Sequence, residues 1–173
     1  ILAGNPGTGK TTVASMLGRL LFLLGVLGTP KPIILHASQL ASRYIGGTQE
    51  IVNEKIKEAQ EQRALLFIDE AHDLCTGTFD GQGAINTFMA PLTDKERPLT
   101  VVFAVYPEYL EEFKGLNVGT DRRFRTIELA DYTGDELFRI LMLMMKKDLD
   151  LSPETGKHIQ KFLLRHRHIL LCQ

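Results

Sequence analysis

The residues Gly4-Asn5-Pro6-Gly7-Thr8-Gly9-Lys10-Thr11 fit the pattern G-x-x-x-x-G-K-[ST], and their types explain how such a stretch holds phosphate. Gly4, Gly7 and Gly9 carry no Cβ, so the backbone can take positive φ and approach a polyphosphate closely. Backbone N–H groups then wrap the anion. A helix starting at about Lys10 aims its unpaired N–H groups and positive dipole end at the same point, and the Lys10 ammonium reaches the β- and γ-phosphates. The hydroxyl of Thr11 is the Mg²⁺ ligand of such a loop. The expected phosphate-binding set is therefore Asn5, Pro6, Gly7, Thr8, Gly9, Lys10, Thr11 and Thr12, for a nucleoside triphosphate with Mg²⁺.

Triphosphate hydrolysis also needs a metal anchor and a group that activates water. Asp69 and Glu70 follow the apolar run Ala64-Leu65-Leu66-Phe67-Ile68, and the C-terminal edge of a parallel sheet is where open α/β folds bind ligands. Asp69 is expected to join Thr11 in holding Mg²⁺. Glu70, pointing the other way along the pleat, is expected to act as general base on an attacking water.

The elements that must position these groups are legible in outline. Ile1-Leu2-Ala3 reads as the end of a buried strand, and Thr12 to Leu24 as a helix buried on much of its surface. Its apolar stretch Leu17 to Leu27 is too short to span a bilayer. Ile33 to Ala37 is continuously apolar, which predicts a strand covered on both faces and hence a parallel sheet. His36 within it reads as a core histidine. Ser38 to Ser42 predicts a short helix, then a loop with Tyr44-Ile45-Gly46-Gly47. Thr48 is placed to cap a helix over Gln49 to Gln62 with Ile51, Val52, Ile56 and Ala59 inward. Further elements are a helix from Ala84 to about Met89, a strand over Thr100 to Val105, a short helix over Pro107 to Phe113 and a strand over Thr126 to Leu129. From Tyr132 the pattern is helical only, opened by the capping box Thr133-Gly134-Asp135-Glu136. Ser152-Pro153 opens a second helix.

Composition narrows the function classes. Of 173 residues 44% are hydrophobic, enough for a core, and 20 basic side chains nearly balance 21 acidic ones. That balance gives no general attraction to nucleic acid or an anionic membrane. Cys75 and Cys172 lack the spacing of a disulfide framework or zinc site, so a reducing, cytoplasmic compartment is expected. The chain begins inside a strand without an initiator Met, as a fragment of a longer protein would.

Gly4 to Thr11, the Leu65 to Glu70 strand, the Tyr44-Ile45-Gly46 loop and Arg122-Arg123-Phe124 resemble the corresponding places of AAA+ ATPases. Within that family the chain resembles the CbxX/CfqX type, which includes red-type rubisco activase and sporulation and type VII secretion ATPases. Asp131-Tyr132-Thr133, Asp135-Glu136-Leu137 and Gly81-Gln82-Gly83-Ala84-Ile85 carry that branch likeness. The resemblance implies a P-loop NTPase fold, in which a five-stranded parallel sheet lies between helices and a truncated small helical lid follows. Residues 1–131 would be the large nucleotide-binding subdomain, lacking its N-terminal part, and 132–173 a partial lid.

The resemblance further implies an ATP hydrolase working as a homo-oligomer, a hexameric ring that remodels or translocates a protein partner. Arg123, with Arg122 as fallback, resembles the arginine that completes a neighbour's site. Tyr44, Ile45 and Gly46 resemble the pore loop that grips the client. Where many relatives place an Asn at the end of the fourth strand, this chain reads Ala104-Val105-Tyr106, and Arg165 and Arg167 are candidates by type for the lid arginine. That departure motivates an alternative, a nucleotide-binding regulatory or scaffold subunit with weak or no hydrolysis. Asp69-Glu70-Ala71-His72 also spells the DEAH helicase motif, but no basic track for nucleic acid accompanies it, and His72 reads as an incidental neighbour of the site.

Overall fold

The computed structural model describes residues 1–42, 44, 46–77, 80–148 and 161. The chain divides into two compact units, Ile1–Ala130 and Asp131–Gln173.

The first unit is built on strands β1 (Leu2–Gly4), β2 (Ile33–His36), β3 (Leu65–Asp69), β4 (Thr100–Val105) and β5 (Ile127–Leu129). They form one sheet in the order β2-β3-β4-β1-β5, with every pairing parallel. Parallel neighbours cannot be joined by hairpins, so helices carry the crossovers: α1 (Lys10–Leu23), α2 (Gly47–Gln62), α3 (Gly81–Met89), α4 (Leu110–Gly115) and α5 (Thr120–Arg123). The predicted five-stranded parallel α/β sheet is what the chain forms.

Alternation along the strands divides the core in two. Leu66, Ile68, Phe103, Val105 and Ala3 face one way, into a cluster with Val52 and Ile56 of α2 and Ala84, Ile85 and Phe88 of α3. Leu65, Phe67, Val102, Ala104 and Leu2 face the other way, onto α1. Leu65 to Ile68 are completely buried, which is why that run has no polar alternation. Phe103 anchors the larger cluster, with its ring centroid 5.2 Å from Phe88, 5.2 Å from Phe113 and 5.3 Å from Phe124.

Four expectations fail here for physical reasons. The helix α1 is apolar but buries only Lys10, Ala14 and Gly18 fully, a narrow stripe of spacing four of which Ala14 meets the sheet core and Gly18 the connector before β2. A Cβ at Gly18 would stand 3.2 Å from the Pro30 carbonyl oxygen. Its large side chains Met16, Leu20, Leu23 and Leu24 lie exposed. The strand β2 is the outer strand, so Ile34 is 44% exposed instead of covered on both faces. His36, at the end of that strand, is exposed and is no core histidine. At α2 the N-cap is Gly46 at φ 81, and Thr48 lies inside the helix, where it is buried and its hydroxyl accepts from the Ser42 N–H.

In the second unit, α6 (Gly134–Asp148) begins with the expected capping box. The Thr133 N–H donates to Glu136 Oε2 at 2.8 Å, and the Glu136 N–H donates back to Thr133 Oγ1 at 3.4 Å. The helix expected after Ser152-Pro153, the candidate arginines Arg165 and Arg167, and Cys172 lie outside the described residues.

Candidate phosphate-binding site

The strand β1 ends at Gly4, and the chain turns through Asn5 to Gly9 before α1 begins. Gly7 (φ 82) and Gly9 (φ 84) take the left-handed conformation, which costs residues with a Cβ. Gly4 is required for a different reason: a Cβ there would lie 2.7 Å from Thr8 Oγ1 and 3.0 Å from the Leu129 carbonyl oxygen. The Thr8 hydroxyl donates to the Asn5 carbonyl at 2.8 Å and closes the loop on itself. Asn5, Pro6, Gly7, Thr11 and Thr12 remain exposed.

Lys10 is 9% exposed. Its ammonium donates to the Gly4 and Asn5 carbonyls at 2.6 and 3.0 Å, and lies 4.9 Å from the centroid of the Tyr106 ring. Burial pulls its pKa below the usual lysine value, against the opposing pull of Asp69 and Glu70. A cation kept in a half-dry place with acceptors on one side is suited to meet an anion on the other.

Across the loop, the Thr11 hydroxyl donates to Asp69 Oδ2 at 3.1 Å. Two oxygen donors this close suit a hard cation such as Mg²⁺, which keeps water and substrate phosphates for its other positions. No group of three or more His, Cys, Asp or Glu side chains among the described residues could hold a metal alone.

Glu70 does not continue the pleat of β3. The strand stops at Asp69 and Glu70 turns into the left-handed region at φ 53, so its direction is set by that turn. Its carboxylate comes within 3.5 Å of His36 Nδ1, with both side chains about half exposed. The register of β2 on β3 pairs His36 with Asp69 and so brings this histidine to the site.

Together these groups line a cavity of about 340 Å³: Pro6, Gly7, Gly9, Lys10, Thr11 and Thr12 from the loop, Asp69 and Glu70 from the end of β3, and Tyr106 from the end of β4. Burial, then the charges of Glu70 and Asp69, raise the pKa of the Tyr106 phenol above its usual value, so the hydroxyl stays a proton donor. Val105 does not face the cavity; it is completely buried in the larger core cluster. The unusual residue at the strand end is therefore a packing residue, and Tyr106 meets the site. Behind it, the His72 imidazole stacks on Tyr106. Spacing in the sequence singled out neither that stack nor the His36–Glu70 contact.

Arg123 lies apart from this cavity. It is exposed at the end of α5, and a Cβ at Gly119 would come within 2.4 Å of its Nη1. Tyr44 is 83% exposed, its N–H bonded to Ser42 Oγ at 3.2 Å, and Gly46 is left-handed at φ 81. Ile45 lies outside the described residues. No helix among the described residues is long and apolar enough to cross a membrane.

Comparison with known proteins gives a consistent result. Residues 1–130 match the model of the ATPase family associated with various cellular activities (AAA). The chain is 34% identical over 165 residues to stage V sporulation protein K of Bacillus subtilis, covering 93% of this chain and 51% of that protein. It is 33% identical over 165 residues to protein CbbX of Cereibacter sphaeroides, covering 92% and 53%. The chain thus spans about half the length of these relatives. Among solved structures, the FIGL-1 AAA domain in complex with ADP superposes with a TM-score of 0.61 at 22% identity, over 92% of this chain and 52% of that one.

Proposed function

The chain belongs to the AAA family of ATPases, in its CbxX/CfqX-type branch, and on that basis we propose that it binds ATP with Mg²⁺ and hydrolyses it within a ring of six identical subunits that remodels or translocates a protein partner in the cytoplasm. The observation that carries the hydrolytic part is the cavity in which Lys10, the Thr11–Asp69 pair and Glu70 meet.

In this reading the glycine loop and the N-terminus of α1 bind the phosphates, and Lys10 exchanges its carbonyl partners for phosphate oxygens. Thr11 and Asp69 would hold Mg²⁺, which neutralises charge on the phosphates when bound. A Glu70 carboxylate oxygen takes the proton of an attacking water, a role typically worth about 10² to 10⁴ in rate. Arg123 stands outside its own chain's cavity, which supports a role at the site of an adjacent subunit, where such an arginine is worth roughly 10³ to 10⁵. Tyr44, the large exposed aromatic of its loop, is the group proposed to grip the client, with Ile45 and Gly46 beside it. The scaffold alternative drew on Val105 and on the unassigned lid arginine; Val105 is buried in the core, and Arg165 and Arg167 lie outside the described residues.

The test is Glu70→Gln in the full-length protein. ATP binding is expected to persist while turnover falls at least about a hundredfold; unchanged turnover would remove Glu70 from the reaction. Mixing Arg123→Ala with Glu70→Gln subunits tests the shared site, because activity recovered in the mixture requires the arginine to act in trans.

A further inference from the structure

His72 is the member of the Asp69-Glu70-Ala71-His72 run to which the reaction above gives no task. It follows Glu70 by two positions, in the 3₁₀ turn Ala71–Cys75, and is 9% exposed. Its ring centroid lies 4.1 Å from that of Tyr106 with the planes 29° apart, and 5.2 Å from that of Tyr109 at 18°. The two tyrosines reach the same imidazole because Pro107–Tyr109 is a 3₁₀ turn, in which side chains three apart eclipse.

The ring nitrogens contribute little to this arrangement. Nδ1 is buried without a hydrogen-bond partner, and Nε2 is 3.9 Å from Asp73 Oδ1, beyond hydrogen-bonding range. What the imidazole supplies is therefore its flat face. On the far side of that contact Tyr106 lines the phosphate cavity and lies beside the Lys10 ammonium.

We propose that His72 is a positioning residue of the ATP site, whose stacked face fixes the Tyr106 ring against Lys10 and so gives the tyrosine hydroxyl one place in the cavity wall during turnover. The proposal rests on the hydrolytic reading above. Tyr106 touches the cavity; His72 acts through it. The loop amides do not touch this stack, and Lys10 is held in place by the Gly4 and Asn5 carbonyls as well as by the ring, so the effect is expected in kcat with little change in KM.

The experiment compares steady-state ATP turnover of the full-length protein with that of His72→Leu, which fills the space without an aromatic face, and His72→Phe, which keeps the face without the nitrogens. His72→Leu is expected to lower kcat about three- to tenfold, the range that loss of one aromatic contact gives, with KM within about twofold. His72→Phe is expected to return kcat to within about twofold of the unaltered protein. Melting temperatures are measured alongside, and both variants are expected to melt as cooperatively as the unaltered protein. A His72→Leu protein with unaltered kcat would overturn the inference, as would His72→Phe falling as low as His72→Leu. Absence of turnover in the unaltered protein would overturn the hydrolytic reading together with this one, so the two failures are told apart.

Discussion

Replacing Lys10 by Met separates what this lysine does for the fold from what it does for the ligand. In the fold, its ammonium makes two hydrogen bonds, to Gly4 and Asn5 carbonyls, each worth about 1.5–3 kcal/mol as a bond to a charged group. Against that stands the cost of keeping a cation 9% exposed, which the lowered pKa records. Met has similar length and needs no hydration; it leaves the exposed Asn5 carbonyl to water and the buried Gly4 carbonyl without its lysine partner, a cost of about 1–3 kcal/mol that release from holding a desolvated cation largely offsets. A net stability change within about 1 kcal/mol is expected. For the ligand nothing offsets the loss, because removing one partner of a mostly desolvated charge pair costs about 2–5 kcal/mol, or roughly thirtyfold to several thousandfold in Kd. The sign with pH follows from linkage. The unfolded chain keeps the Lys10 proton to higher pH than the folded one, so the unaltered protein gains stability as pH rises from the depressed folded value towards 10.5, and Lys10→Met lacks that gain. Urea denaturation at pH 7 and pH 10, with titration of a fluorescent ATP analogue, reads all three quantities. Nucleotide affinity within threefold of the unaltered protein would refute the assignment of Lys10 to the phosphates.

Three further outcomes follow from particular contacts. Gly4→Ala places a Cβ 2.7 Å from Thr8 Oγ1 and 3.1 Å from Leu129 Cβ; overpacking of about 1–3 kcal/mol and weakened ATP binding are expected, and an unchanged melting temperature would contradict the close approach. Phe103→Ala removes a completely buried ring that touches three other phenyl rings, and a loss of about 3–5 kcal/mol is expected in urea denaturation, where less than about 1 kcal/mol would show the cluster is not the main core. Burial pushes the Cys75 thiol up to about 11, so at pH 8 its alkylation, followed by peptide mapping, should run about a hundredfold slower than that of a free thiol; the free-thiol rate would place Cys75 in solvent.

The phosphate loop and β3 were legible because their residue types leave few alternatives: three glycines before Lys-Thr, and four apolar residues before two acids. What escaped the sequence depended on neighbours supplied from far along the chain. The continuous apolar run of β2 cannot announce that it lies at the edge of the sheet, where Ile34 meets solvent. The leucines of α1 suggested a buried helix, but Ala14 alone of its apolar side chains is fully buried against the sheet, with Val13, Leu17 and Leu21 partly covered beside it, while Gly18 lies against the Pro30–Pro32 connector. Glu70 was expected along the pleat, and the left-handed turn that ends β3 sets its direction instead. His36 and His72 were read in isolation; strand register brings the first to Glu70, and the 3₁₀ turn after β4 presents two tyrosines to the second.

The place of β1 in the sheet bears on how the chain is made. Its neighbours are β4 and β5, so β1 is made before the other described strands of its sheet and pairs with the last two of them. At roughly 5 to 20 residues per second, β4 follows β1 by about 5 to 20 s. During that interval β2 and β3 can already pair with each other, while Ile1-Leu2-Ala3 has no ladder to join and the glycine loop behind it has no fixed shape. The nucleotide pocket is thus a late product of synthesis. A nascent chain stalled before Thr100 would present an apolar strand end to chaperones and proteases while carrying the complete phosphate-binding sequence, unable to hold ATP.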